Sequence, residues 1–126
     1  MPKVVVIDDD VEILKIFPRL LAGSEFEPCC TSDVETFLER VRSERPVAAI
    51  VDFWLLDNTA LPLLDRLRAE GLDLPVVLMS GGGGGHSALM AETLGEVCGI
   101  VSFLHKPFRR AEVIEALRGA AAVALN

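Results

Sequence analysis

The chain has 126 residues, 51% of them hydrophobic and 25% charged, which suits one globular domain with a substantial core. Its formal net charge of −7 argues against a direct nucleic-acid partner. No apolar run approaches the roughly 20 residues that span a bilayer, and Lys3 is not followed by a signal-type apolar region, so neither a membrane nor a secretory route is expected. Three cysteines, two of them adjacent as Cys29 and Cys30, make a poor disulfide framework and fit a reducing cytoplasm.

Short β-type runs alternate with longer stretches of helical period, the pattern of a parallel sheet with crossover helices. Val4 to Ile7 reads as the first strand and runs directly into Asp8, Asp9 and Asp10. Asp10 is expected to cap a first helix from Val11 to Ala22, with Ile13, Leu14, Phe17, Leu20 and Leu21 on one face and Gly23 just past its end. Pro18 removes a backbone donor inside that helix and predicts a kink or loosened turn. Glu27 to Cys30 forms the second strand, and Ser32-Asp-Val-Glu35 reads as a capping box that starts a second helix at Ser32. That helix turns Val34, Phe37, Leu38 and Val41 inward and closes before Pro46.

Val47 to Val51 is a strand buried on both faces and ends at Asp52. A third helix carries Leu63, Leu64 and Leu67 and stops at Gly71. Pro75 to Met79 is the fourth strand, ending at Ser80, and is followed by the glycine run Gly81 to Gly85 and a helix from about Ser87 to Glu96. The fifth strand, about Ile100 to His105, ends at Lys106-Pro107, and an Ala-rich helix from about Ala111 to Ala124 completes five β/α units. Pro107 is a candidate cis proline in a tight turn that aims the lysine.

Right-handed crossovers into one parallel sheet give a doubly wound α/β fold, whose ligand site lies beyond the carboxyl ends of the strands. Four strands bring Asp8, Asp9, Asp52, Ser80 and Lys106 to that edge. Like charges so close repel, and each ionised group costs free energy on partial desolvation. Lys106 alone cannot balance the aspartates. Carboxylates gathered in this way suit Mg²⁺, which shares its coordination sphere with water and phosphate oxygens. The acidic cluster is therefore expected to hold a metal beside a phosphoryl group.

IDDD after the first strand, VDFWLLD around Asp52, VVLMSG at the fourth strand and FLHKPF at the fifth occur in order along the chain. In this the sequence resembles the receiver domain of two-component response regulators over its whole length. The resemblance implies a flavodoxin-like, five-stranded parallel sheet of order 2-1-3-4-5 with five helices, a single receiver domain over residues 1–126, and no effector domain within the sequence. It implies that Asp52 is the phosphoacceptor and that Mg²⁺ (or Mn²⁺) is held by Asp9 directly, Asp8 mainly through water, Asp52 and the backbone carbonyl of Trp54. Ser80 and Lys106 would meet phosphoryl oxygens, with Gly81 contributing a backbone N–H, and Phe103 would rotate inward as Ser80 moves.

The implied partners are a sensor histidine kinase or phosphotransfer protein as donor, and a downstream protein target or detached effector domain. The signalling face would be the fourth helix, fifth strand and fifth helix, where a homodimer could also form. Such a domain is not an enzyme toward other substrates; it catalyses only its own Mg-dependent phosphorylation and dephosphorylation.

The sequence departs from the family in places. Leu55-Leu56 stand where Met-Pro is common, Ala60 stands where glycine is common, and the segment from Ser80 to Lys106 is longer than usual. The glycine run lacks the Lys-Ser or Lys-Thr of a P-loop and is expected to be a mobile loop on the switching face. His86 and His105 are expected at the surface, and the Trp54 ring could shield an acyl phosphate from water. Two other readings compete. A pseudo-receiver would keep the fold for protein contacts alone, yet every site residue is present. An Asp-nucleophile, Mg-dependent phosphatase of the haloacid-dehalogenase type needs a second Asp two residues after the nucleophile, where this chain has Trp54.

Overall fold

The computed structural model describes residues 1–55, 58–81 and 99–124. β1 (Lys3–Ile7) leads to α1 (Val11–Leu21), β2 (Glu27–Thr31), α2 (Val34–Glu44) and β3 (Ala48–Asp52). A short hairpin, β4 (Trp54–Leu55) and β5 (Asn58–Thr59), precedes α3 (Leu61–Ala69), β6 (Val76–Ser80), β7 (Ile100–His105) and α4 (Arg110–Ala124). The large sheet has the order β2-β1-β3-β6-β7, all pairs parallel, as expected for a doubly wound domain. Four helices are described where five were expected. The helix expected at about Ser87 to Glu96 lies outside the described residues, with Gly82 to Gly85 and His86.

Strand alternation divides the core into two layers. Val5, Ile7, Ala49, Val51 and Leu78 face α2 and α3, packing against Phe37, Leu38, Val41, Leu63, Leu64 and Leu67. Val4, Val6, Ala48, Ile50, Val77 and Met79 face the other way, against Leu14, Phe17 and Leu21 of α1 and Val113, Ile114 and Leu117 of α4. Strands β1, β3 and β6 are thus apolar on both faces, and burial at about 25 cal/mol per Å² holds the sheet between its helices.

Several local expectations change. The N-cap of α2 is Asp33, not Ser32: its carboxylate accepts the Thr36 N–H at 2.8 Å and the Thr36 hydroxyl at 2.9 Å. Asp33 has extended backbone (φ −135°, ψ 156°), the conformation a cap needs, so the helix begins one residue later than the capping-box pattern suggested. Asp10 does cap α1, accepting the Glu12 N–H at 3.0 Å. β2 extends to Thr31, β3 to Asp52 and β6 to Ser80, so the last two polar residues belong to their strands.

Pro18 sits inside α1 and leaves the Leu14 carbonyl without its helical donor. The Cys30 thiol occupies that role, donating to the Leu14 carbonyl at 3.5 Å. At the other end of α1, Arg110 of α4 donates to the Leu20 and Ala22 carbonyls, the second at 2.8 Å. The helix that follows the acidic turn is therefore tied to β2 and to α4. No helix among the described residues is long and apolar enough to cross a membrane.

Candidate functional site

Each strand of the sheet's centre ends in a polar residue because the chain leaves the core there. Asp8 follows β1 and is fully buried; Asp52 closes β3 at 4% exposure, and Ser80 closes β6 at 8%. Asp9, next to Asp8, is exposed. One carboxylate oxygen from each of Asp8, Asp9 and Asp52 lies within 4.8 Å of the others, so the three could hold a metal ion.

Among the described residues, one cation meets the charges of both Asp8 and Asp52. Lys106 Nζ is 2.9 Å from Asp8 Oδ2 and 3.4 Å from Asp52 Oδ1. The other Asp8 oxygen accepts the Asp10 N–H at 2.9 Å. The Lys106 N–H donates to the Ser80 carbonyl at 2.9 Å, which ties the end of β7 to the end of β6, and the following Lys106–Pro107 bond is cis. Burial, followed by repulsion from Asp8, pushes the Asp52 carboxyl up to about 6, with Lys106 pulling the other way. For Lys106, burial acts to lower the pKa, but the Asp8 hydrogen bond and the charges of Asp52 and Asp8 outweigh it, and the net shift is upward. Burial and Asp8 together disfavour the ionised form of Asp52, and a cation bound beside it would favour that form.

The β4–β5 hairpin was not foreseen in the sequence, and it fixes the wall beside Asp52. Phe53 N–H donates to the Met79 carbonyl at 2.8 Å, and the Phe53 carbonyl accepts the Ala60 N–H at 2.7 Å. Trp54 pairs with Thr59 in the next position, so ladder alternation turns the Trp54 carbonyl away from β5. The Trp54 ring is 58% exposed and stands edge-on to Phe53, with centroids 5.0 Å apart. Ala60 has φ −75° and ψ −6°, a region open to every residue, so no glycine is needed there.

The remaining predicted residues are placed as follows. Gly81 is exposed immediately after Ser80, and a Cβ there would meet nothing within 4 Å. Phe103, half-buried on β7, packs against the α2–α3 layer beside Leu78, its register partner. His105 is exposed, as expected. Cys29 is half-buried and Cys30 exposed, both as free thiols.

These features define a class: a doubly wound α/β domain with an acidic, lysine-bridged cleft at the carboxyl edge of its sheet. The chain belongs to the response regulator receiver domain family, whose model matches residues 4–118. It is 30% identical over 113 residues to the transcriptional regulatory protein PrrA of Mycobacterium bovis, a match covering 90% of this chain and 47% of that protein. To the photosynthetic apparatus regulatory protein RegA of Rhodovulum sulfidophilum it is 28% identical over 116 residues, covering 92% and 61%. The chain spans about half the length of PrrA. Among solved structures, NtrX from Brucella abortus superposes with a TM-score of 0.82 at 26% identity, over 99% of this chain and 28% of that one. A response regulator receiver domain protein from Clostridium thermocellum gives a TM-score of 0.80 at 21% identity, over 98% and 96%, a likeness of fold.

Proposed function

We propose that this receiver domain takes a phosphoryl group onto Asp52 from the phosphohistidine of a sensor kinase or phosphotransfer protein, and so switches a protein-interaction surface. The observation that carries the reading is the Asp52 carboxylate at the end of β3, sharing one ammonium with Asp8 and lying within metal-sharing distance of Asp8 and Asp9. In the transfer, an Asp52 oxygen forms a bond to phosphorus as the phosphorus–nitrogen bond breaks. The electron pair of that bond stays on the donor imidazole, which takes up a proton as needed.

The donor set fits Mg²⁺ or Mn²⁺: hard oxygens only, from Asp8, Asp9, Asp52 and the outward-turned Trp54 carbonyl. Both Asp8 oxygens already accept hydrogen bonds, which favours Asp9 as a direct ligand and Asp8 acting through water. When bound, the ion neutralises phosphoryl oxygens and the carboxylates that crowd them. Lys106 supplies a second positive charge, within reach of both Asp8 and Asp52. In this reading the Ser80 hydroxyl, at the end of the adjacent strand, would donate to a phosphoryl oxygen, and Gly81 would offer its N–H.

New negative charge on Asp52 would draw Lys106 and Ser80 toward it; Ser80 closes β6 and Lys106 immediately follows β7. Phe103, on β7, is the side chain through which that movement would reach the outer face. The output is a downstream protein or an effector domain. The chain catalyses its own modification rather than turnover of another substrate.

Fluorescence of Trp54, the only tryptophan, tests the reading. Mg²⁺ is expected to change its emission, and acetyl phosphate or beryllofluoride to change it further. Asp52→Ala should abolish the second change. A second response that survives in Asp52→Ala would contradict the assignment of the acceptor.

A further inference from the structure

We propose that Thr31 is a positioning residue that holds the Asp8–Asp9 pair in register, an inference that rests on the metal-site reading above. Thr31 is the last residue of β2 and pairs with Ile7, the residue immediately before the acidic pair. It is only 4% exposed. Its hydroxyl donates to the Val6 carbonyl at 2.7 Å, and its own carbonyl accepts the Asp8 N–H at 3.2 Å. Thr31 therefore clasps the end of β1 on both sides of Ile7.

This position matters because β2 is an edge strand, braced through the sheet on one side only. Strand ends fray first, and a slip of one residue exchanges the two faces. Here the two faces have opposite duties. Asp8 must point inward to accept from Lys106, while Asp9 must remain at the exposed lip of the cleft. A valine would fill nearly the same volume at this buried position without a hydroxyl to desolvate. The hydroxyl's contribution is the tie to Val6, two residues ahead of Asp8.

The variants Thr31→Val, Thr31→Ser and Val41→Ala separate this role from general stability. Val41 is a buried core residue of α2 with no part in the site. Two readouts apply to the full chain. Calorimetric titration with Mg²⁺ alone is expected to show about tenfold weaker binding in Thr31→Val, the scale typical of groups that orient metal ligands. Thr31→Ser and Val41→Ala should bind within about twofold of the wild type on the same scale. In metal-free protein, the Asp8 amide should exchange with solvent faster in Thr31→Val and at the wild-type rate in Thr31→Ser, after correction for each variant's global stability.

Wild-type Mg²⁺ affinity in Thr31→Val, or an equal loss in Thr31→Ser, would overturn the proposal. So would unchanged Asp8 exchange in Thr31→Val. Should the wild type itself bind no Mg²⁺, the metal reading falls, and amide exchange alone still decides whether Thr31 holds Asp8.

Discussion

The ammonium of Lys106 stands 2.9 Å from the carboxylate of Asp8, a residue 98 positions earlier in the chain. The same ammonium lies 3.4 Å from Asp52, so one partly buried cation serves two buried anions. Removing one partner from such a group leaves charges uncompensated in a medium that solvates them poorly. Lys106→Met should destabilise the metal-free protein by about 3 kcal/mol in chemical denaturation. It should also tighten Mg²⁺ binding, because a competing cation is gone, while slowing transfer to Asp52. Weaker Mg²⁺ binding would mean that Lys106 organises the cleft rather than competing for it.

The Asp52 carboxyl supplies a pH signature. Its pKa is about 6 in the folded protein against an ordinary value of 3.8, raised first by burial and then by Asp8. The folded state therefore holds more protons than the unfolded state between those values, and stability falls as pH rises through about 6. The full effect amounts to roughly 3 kcal/mol, present below the unfolded value and lost above the folded one. Metal-free wild type should accordingly gain stability between pH 7.5 and pH 4, whereas Asp52→Asn should show little of that gain. Saturating Mg²⁺ should flatten the wild-type curve by favouring the carboxylate. Urea denaturation across this pH range provides the comparison.

The cap of α2 is a simpler test. Asp33 accepts both the N–H and the hydroxyl of Thr36, so Asp33→Ala should cost about 1 kcal/mol. Ser32→Ala should cost little, although Ser32 heads the motif that the sequence presents. Thermal denaturation of the two variants distinguishes them.

Pro18 and Cys30 should be energetically coupled. The thiol serves a carbonyl that has no helical donor only because residue 18 is proline. Cys30→Ala should therefore be destabilising in the wild type by about 0.5–1 kcal/mol, and less so in a Pro18→Ala background, where a backbone N–H is restored. A double-mutant cycle measures that difference. Equal effects in both backgrounds would show that the thiol contributes nothing to the carbonyl.

The layered fold was legible because its signals reinforce one another. Val4 to Ile7, Val47 to Val51 and Pro75 to Met79 are strongly apolar runs, and each empties into a polar residue, which located the sheet edge and the cleft together. What escaped is local. The hairpin has two residues in each strand, too few for any alternation to emerge, and its formation depends on Phe53 bonding to Met79 and Ala60. Ser32 and Asp33 are both good caps, and only backbone dihedrals separate them. Thr31 carried no signal at all, since a threonine at a strand end is common and its bond to Val6 spans 25 positions.

The phosphoacceptor assignment is tested most directly by where a phosphoryl group lands. The protein should be incubated with Mg²⁺ and acetyl phosphate, trapped by borohydride reduction of the acyl phosphate, and mapped by peptide mass spectrometry. The expected result is a single reduced aspartyl residue at position 52, absent without Mg²⁺ and absent in Asp52→Asn. Reduction at Asp8 or Asp9 instead, or none anywhere while Mg²⁺ still binds, would contradict it.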